Sequence, residues 1–457
     1  MGKSWGASRA PTVGLAIALI IAAALHGCFC ATAPGLRLLT GGKKAAAGAG
    51  GTIGHSAVFT VNGNVYPLGY YSVSINIGNP PKAFELDIDT GSDLTWVQCD
   101  APCTGCTKPR QSLYKPNNNL IPCGHNLCSS IHSTGKINCP EPSEQCDYEV
   151  EYADHGSSLG VLVADSFPLR LINGSFLSTR LGFGCGYDQK NPITGTPPTA
   201  GVLGLGSGKA SIVTQLKNMG LFQNVIGHCF SGQGGGYLFL GNYLVPSSGV
   251  SWTPMLQTVS EKHYSAGPAE LLFGGKHTGL NGLQLIFDSG SSYTYFNSAV
   301  YKSTLDMIKK DLNGKLKDAP EEKALSVCWK GAKPVKSLQD VKNHFKPLAL
   351  SFTRSKNVQL LVPPENYLIV TKSGNVCLGI LNGGEVGLGN LNVIGDIFMQ
   401  DKLMIYDNEK RQIGWISSNC NKLHNLVEGE YNKEICQRYA VNLGILEEQQ
   451  CPSSWTY

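Results

Sequence analysis

Two short segments of this 457-residue chain carry one pattern: Asp89-Thr90-Gly91-Ser92 and Asp288-Ser289-Gly290-Ser291. Each sets a carboxylate beside a hydroxyl, a glycine and a second hydroxyl. Glycine lets the backbone approach a ligand closely. The hydroxyls can hydrogen-bond carboxylate oxygens and fix their orientation. Two such carboxylates brought together cannot both ionise easily; they share a proton, and their pKa values split. The ionised member can then take a proton from water while the protonated member polarises a carbonyl. That chemistry is acid–base hydrolysis without a covalent intermediate. It calls for no metal and no other cofactor.

The segments sit in matched surroundings. Phe84, Leu86 and Ile88 recur at period two before Asp89, and Leu283 to Phe287 precedes Asp288, so each aspartate ends an apolar strand. An apolar pair and a glycine follow each: Val202-Leu203-Gly204 lies 115 residues past Asp89, and Val393-Ile394-Gly395 lies 107 past Asp288. The repeat predicts two related β lobes, 66–247 and 248–422, divided near Pro246-Ser247-Ser248-Gly249. Further strands are expected at Tyr70 to Ile77, Leu159 to Ala164, Tyr237 to Leu240, Val358 to Val362 and Leu403 to Tyr406. Helices are few, the best being Ser211 to Met219 and Ser298 to Asn313. Composition agrees with an all-β class. Only 15% of residues are charged, too few for the charged faces of a helical bundle, and 55 glycines suit many turns. A net charge of +4 without a dense basic block leaves no nucleic-acid footprint.

Sixteen cysteines suit an oxidising compartment. Lys3 and Arg9 precede the apolar run Val13 to Leu25, which reads as a secretory signal peptide over 1–31 and is too short to span a bilayer. Residues 32–65 read as a short pro-segment or linker, and 423–457 as a more charged tail. Seven cysteines crowd into an insertion, 99–146. The Cys99-x3-Cys103-x2-Cys106 spacing has the form of an iron–sulfur site, but the secreted context favours disulfides. Asn173-Gly174-Ser175 is a glycosylation sequon. Gly156-Ser157-Ser158-Leu159-Gly160 has the serine-nucleophile spacing without its strand–turn–helix setting. Gly204 to Lys209 looks phosphate-binding but lacks the spacing and the hydroxyl after the lysine.

The duplicated turns, together with Leu94-Thr95-Trp96-Val97, Val393-Ile394-Gly395-Asp396, Ile405-Tyr406-Asp407 and Ile413-Gly414-Trp415, resemble the pepsin-like aspartic peptidases. Within them the chain is most similar to the plant nucellin and nepenthesin type, nearest the nucellin-like aspartic proteinases, over about Tyr66 to Cys420. The resemblance implies a bilobal fold with an interlobe cleft and an endopeptidase with an acidic pH optimum. Asp89 and Asp288 would be the catalytic dyad. Thr90 and Ser289 would cross-brace the turns, Ser92 and Ser291 would bond the outer carboxylate oxygens, and Gly91 and Gly290 would face substrate backbone. Tyr152 would be the flap tyrosine, with Trp96 its partner. Cys229 would pair with Cys420, and Cys328 with Cys377; Cys436 with Cys451 is a further expectation. Two departures stand out: a longer flap tip, Ala153 to Ser157, and Ala200 where many relatives have Asp. Asp87 and Asp93, near the first turn, are read as solvated or structural. The expected partners are polypeptide substrates of a monomeric protein in the secretory pathway, bound for the apoplast or the vacuole. The competing expectation is a catalytically inactive binding or inhibitor protein on the same scaffold.

Overall fold

The computed structural model describes residues 55–132, 139, 141–190, 198–256, 262–356 and 358–421. The expected signal peptide, most of the pro-segment, the tail and the Cys436–Cys451 pair lie outside the described residues. The chain is mostly β, in two lobes. Alternating burial makes the strands: Phe84, Leu86 and Ile88 all point into the core of Lys82–Asp89. The helix Ser298–Leu312 buries Val300, Thr304, Ile308 and Leu312, one face at four-residue spacing. The Asn297 side chain accepts from the amides of Ala299 and Val300 and starts it. Asn313, at φ 43°, ends it in the left-handed region. The shorter expected helix is observed as Ile212–Asn218.

Both aspartates are placed by the same local topology. Lys82–Asp89 runs parallel to Gly201–Gly204, with Asp89 opposite Gly204. Leu283–Phe287 runs parallel to Asn392–Ile394. In each lobe the chain beyond the aspartate then turns back against that neighbour, pairing Trp96 with Val202 and Tyr295 with Val393. Thr95 Oγ1 accepts the Gly204 amide at 3.1 Å, and Thr294 Oγ1 accepts the Gly395 amide at 3.2 Å. A side chain at either glycine would collide with the backbone of the returning segment.

Two boundaries differ from the sequence expectation. Ala57–Asn64, within the expected linker 32–65, is a strand that joins Gly236–Leu240 to Tyr70–Ile77. The 13-stranded sheet built on the first lobe also takes in Ser251–Pro254, Lys402–Asp407 and Gln412–Ser417 from beyond residue 248. Lys402–Asp407 pairs directly with Val225–Phe230. A cut at 248 therefore separates the repeats but not the sheets. Strand pairing is non-local, so periodicity could not reveal it.

Six disulfides lie among the described residues. Cys229–Cys420 staples the exchanged strands to the first-lobe sheet, and Cys328–Cys377 links two paired strands. Within the insertion Cys103 pairs with Cys106, Cys123 with Cys139 and Cys128 with Cys146. Cys99 instead reaches Cys185, outside the insertion. Because the Cys229–Cys420 loop spans 191 residues, its removal by paired Ser substitutions should cost about 3–5 kcal/mol. Loss of Cys103–Cys106, with a separation of 3, should cost about 1–2 kcal/mol. Urea midpoints under non-reducing conditions should rank the variants in that order.

Candidate active site

The two Asp-(Thr/Ser)-Gly-Ser turns meet face to face. Asp89 is buried and its carboxyl lies against that of Asp288. Contact is so close that a Cβ on Gly91 would lie 2.5 Å from Asp288 Oδ1, and one on Gly290 2.6 Å from Asp89 Oδ1. Only glycine admits the opposing carboxylate at either position. The Gly91 amide donates to Asp89 Oδ1 at 2.8 Å, and the Gly290 amide to Asp288 Oδ1 at 2.9 Å. The Ser92 hydroxyl donates to Asp89 Oδ2, and the Ser291 hydroxyl to Asp288 Oδ2 at 2.8 Å. Each carboxylate is thus held from both oxygens by its own turn. Burial, then the charge of Asp288, raises the Asp89 pKa well above the usual carboxylate range.

Beneath the carboxylates four hydrogen bonds cross between the lobes. The Thr90 amide donates to Ser289 Oγ at 3.1 Å, and the Ser289 amide to Thr90 Oγ1 at 2.9 Å. The Thr90 hydroxyl donates to the Phe287 carbonyl at 3.0 Å, and the Ser289 hydroxyl to the Ile88 carbonyl at 2.9 Å. Over the dyad stands the hairpin of Asp147–Glu151 and Ser157–Arg170. Tyr152, at its tip, accepts the Trp96 Nε1 proton at 2.7 Å and lies beside Ser92. The long tip is closed locally: the Tyr152 amide donates to the Gly156 carbonyl, the Gly156 amide to Asp154 Oδ1, and His155 takes φ 67°.

Other sequence features are accounted for by their contacts. Ser158 is buried in the hairpin strand and bonded to the Tyr148 hydroxyl, away from any nucleophile role. The Cys128–His132–Cys146 cluster offers no thiolates, since its cysteines are joined. Asn173 is exposed in the turn before Phe176–Lys190. Asp93 is not solvated but buried, as is one oxygen of Asp87. Asp87 as a residue keeps some exposure, yet its Oδ1 has no hydrogen-bond partner and its Oδ2 accepts from Thr199 at 2.9 Å.

Two groups near the dyad went unassigned in the sequence. Asp396, in the expected Val393–Asp396 motif, is buried with an unpartnered Oδ1, and burial followed by the charges of Asp288, Asp87 and Asp89 raises its pKa strongly. His228 is fully buried, stacked on Phe230 at 4.2 Å and bonded to the Tyr406 hydroxyl at 3.1 Å. Tyr406 in turn lies beside Thr90 under the dyad. Desolvation holds His228 neutral, with a pKa of about 3. No spacing rule marks either residue; only their burial does.

These groups give a signed pH dependence. Burial, the largest cause, raises Asp87 from 3.8 to about 7, so its folded form retains a proton that its unfolded form loses. Its contribution to stability is full below about pH 4 and is lost as pH rises toward 7. His228 acts oppositely, its contribution being lost as pH falls from about 6.5 toward 3. Melting temperature should therefore drop more steeply from pH 4 to pH 7 in the wild type than in Asp87→Asn; parallel curves would contradict the buried-acid assignment.

Comparison with known proteins follows the same geometry. Two family models match, described as xylanase inhibitor N-terminal over residues 71–242 and xylanase inhibitor C-terminal over 268–417. An aspartic proteinase of Oryza sativa subsp. japonica is 42% identical, covering 80% of this chain and 92% of its own. Aspartic proteinase 39 of Arabidopsis thaliana is 29% identical, covering 79% and 77%. The crystal structure of basic 7S globulin from soybean shares the fold, with TM-score 0.63 and 16% identity over 81% of this chain and 98% of its own. With both repeats matched and the rice relative aligned over nearly its whole length, this chain belongs to the plant pepsin-like aspartic proteinases.

Proposed function

We propose that this chain is an active aspartic endopeptidase, with Asp89 and Asp288 as its catalytic dyad. The observation that carries the reading is that both carboxylates keep their complete set of turn donors while touching each other. One proton is shared by the pair. A water held between them loses a proton to the ionised carboxylate and attacks the scissile carbonyl carbon. The protonated carboxyl donates to the carbonyl oxygen. The tetrahedral intermediate collapses when the leaving nitrogen takes the proton that the dyad received from water, a hydroxyl of the intermediate returns its proton to the other carboxylate, and the C–N bond breaks, leaving the dyad singly protonated. Tyr152, held by Trp96, would cover an extended polypeptide backbone lying over the dyad.

Six disulfides support an oxidising, secretory destination, apoplast or vacuole, and an exposed Asn173 supports glycan attachment there. Among the described residues no helix is long and apolar enough to cross a membrane. A second reading, a non-catalytic binding protein, is favoured by one observation: the matched family models are described as xylanase inhibitor.

Cleavage of a denatured protein separates the two. Asp89→Asn and Asp288→Asn should each lower kcat by at least about a thousandfold, more than about 4 kcal/mol of barrier. Pepstatin should block the wild type. Activity should fall as pH rises through the upper ionisation of the dyad, where the shared proton is lost. Cleavage surviving in either Asn variant, or a folded wild type that cleaves nothing between pH 3 and 7, would refute the peptidase reading.

A further inference from the structure

The glycine run Gly204 to Gly208 has a use unrelated to phosphate. Its amides grip the first catalytic turn: Leu205 N–H donates to the Asp89 carbonyl at 2.7 Å, and Gly206 N–H to the Ser92 carbonyl at 2.7 Å. The next amide, of Ser207, donates across the lobe boundary to the Lys262 carbonyl at 2.9 Å. From the same side the Tyr264 hydroxyl donates back to the Leu205 carbonyl at 2.8 Å. The run is therefore clamped between the turn that bears Asp89 and the segment leading into the strand Tyr264–Phe273. Space is tight on both sides. A Cβ on Gly206 would lie 2.5 Å from the Lys262 carbonyl oxygen and 2.9 Å from that of Ser92.

Asp93 and Lys262 close this junction. Asp93 directly follows Ser92 and is 3% exposed. Its Oδ1 lies 3.4 Å from Lys262 Nζ. Its Oδ2 is buried with no hydrogen-bond partner, and a Cβ on Gly208 would lie 2.0 Å from it. The lysine side chain is 42% exposed, so solvent weakens the pair. The carboxylate has no such relief: without the ammonium it would be a buried charge with no counter-ion.

We propose that the Asp93–Lys262 pair is an interlobe clasp that positions the dyad, with Lys262 acting as a positioning residue; this rests on the peptidase reading. The crossed bonds of Thr90 and Ser289 fix the two turns from beneath. The clasp fixes the outer edge of the first turn against the second lobe. It thereby sets how the Ser92 hydroxyl meets Asp89 Oδ2. When the clasp is lost, the edge relaxes while the fold and the crossed bonds persist.

The test compares Lys262→Met, Lys262→Arg and the double variant Asp93→Asn/Lys262→Met in the full chain. Kinetics and amide hydrogen exchange at Gly91 to Asp93 are measured on each. Lys262→Met should lower kcat about tenfold, equivalent to about 1.4 kcal/mol, with KM changed less than about twofold. Exchange in the turn should quicken in that variant. Lys262→Arg should restore both readouts, and the double variant should lose no more than Lys262→Met alone. Wild-type kcat in Lys262→Met, or a loss that Arg does not rescue, overturns the clasp. Should the wild type cleave nothing, the peptidase reading falls separately. Exchange then decides the clasp: quickened by Met and not by Arg supports it, and unchanged by Met overturns it.

Discussion

Two carboxylates in contact, Asp89 buried and Asp288 partly so, repel each other whenever both are charged, and burial magnifies that repulsion. The crossed hydrogen bonds of Thr90 and Ser289 hold the pair together despite it. They consist of two amides and two hydroxyls, each donating to the other lobe, in a space closed to water. Breaking one would leave a buried polar group unpaired, at roughly 1–3 kcal/mol. The arrangement has one register, because a slip by one residue would turn both hydroxyls away. Everything above the braces follows from it. The turn donors orient the carboxylates, the carboxylates exclude any side chain at Gly91 and Gly290, and neither carboxylate can retreat from the other.

The frame around the braces is shared as well. Strands beyond residue 400 enter the first-lobe sheet beside Val225–Phe230. They bring Tyr406 against His228 and under Thr90. Tyr71, Phe230 and His228 stack in sequence, at 4.2 Å from ring to ring, and Tyr406 lies 4.3 Å from Tyr264. The dyad thus rests on an aromatic column contributed by both repeats rather than on a hinge between independent lobes. Cys229–Cys420 closes the same junction covalently.

What the sequence disclosed divides along physical lines. The dyad, its hydroxyls and the matched glycines were legible because each turn is local and the pattern occurs twice. Alternation exposed the strands around Phe84 and Leu283 for the same reason. The exchange of Lys402–Asp407 between lobes was not legible, since a buried strand carries no mark of its partner. Cys99 stood among seven insertion cysteines and gave no sign that its partner was Cys185. Asp93, Asp396 and His228 looked ordinary in the sequence because their character comes from burial. The glycine run was visible, but its form suggested a phosphate, whereas its neighbours are the Ser92 and Lys262 carbonyls.

The central claim is that the two aspartates hold one proton between them. It is tested most directly by counting protons taken up when pepstatin binds, by calorimetry in buffers of different ionisation enthalpy across pH 4 to 8. A transition-state analogue requires the singly protonated dyad. Uptake should be near zero at acidic pH and climb toward one proton per molecule once the free dyad has lost its proton. Tight binding with no proton uptake anywhere in that range would contradict the shared proton.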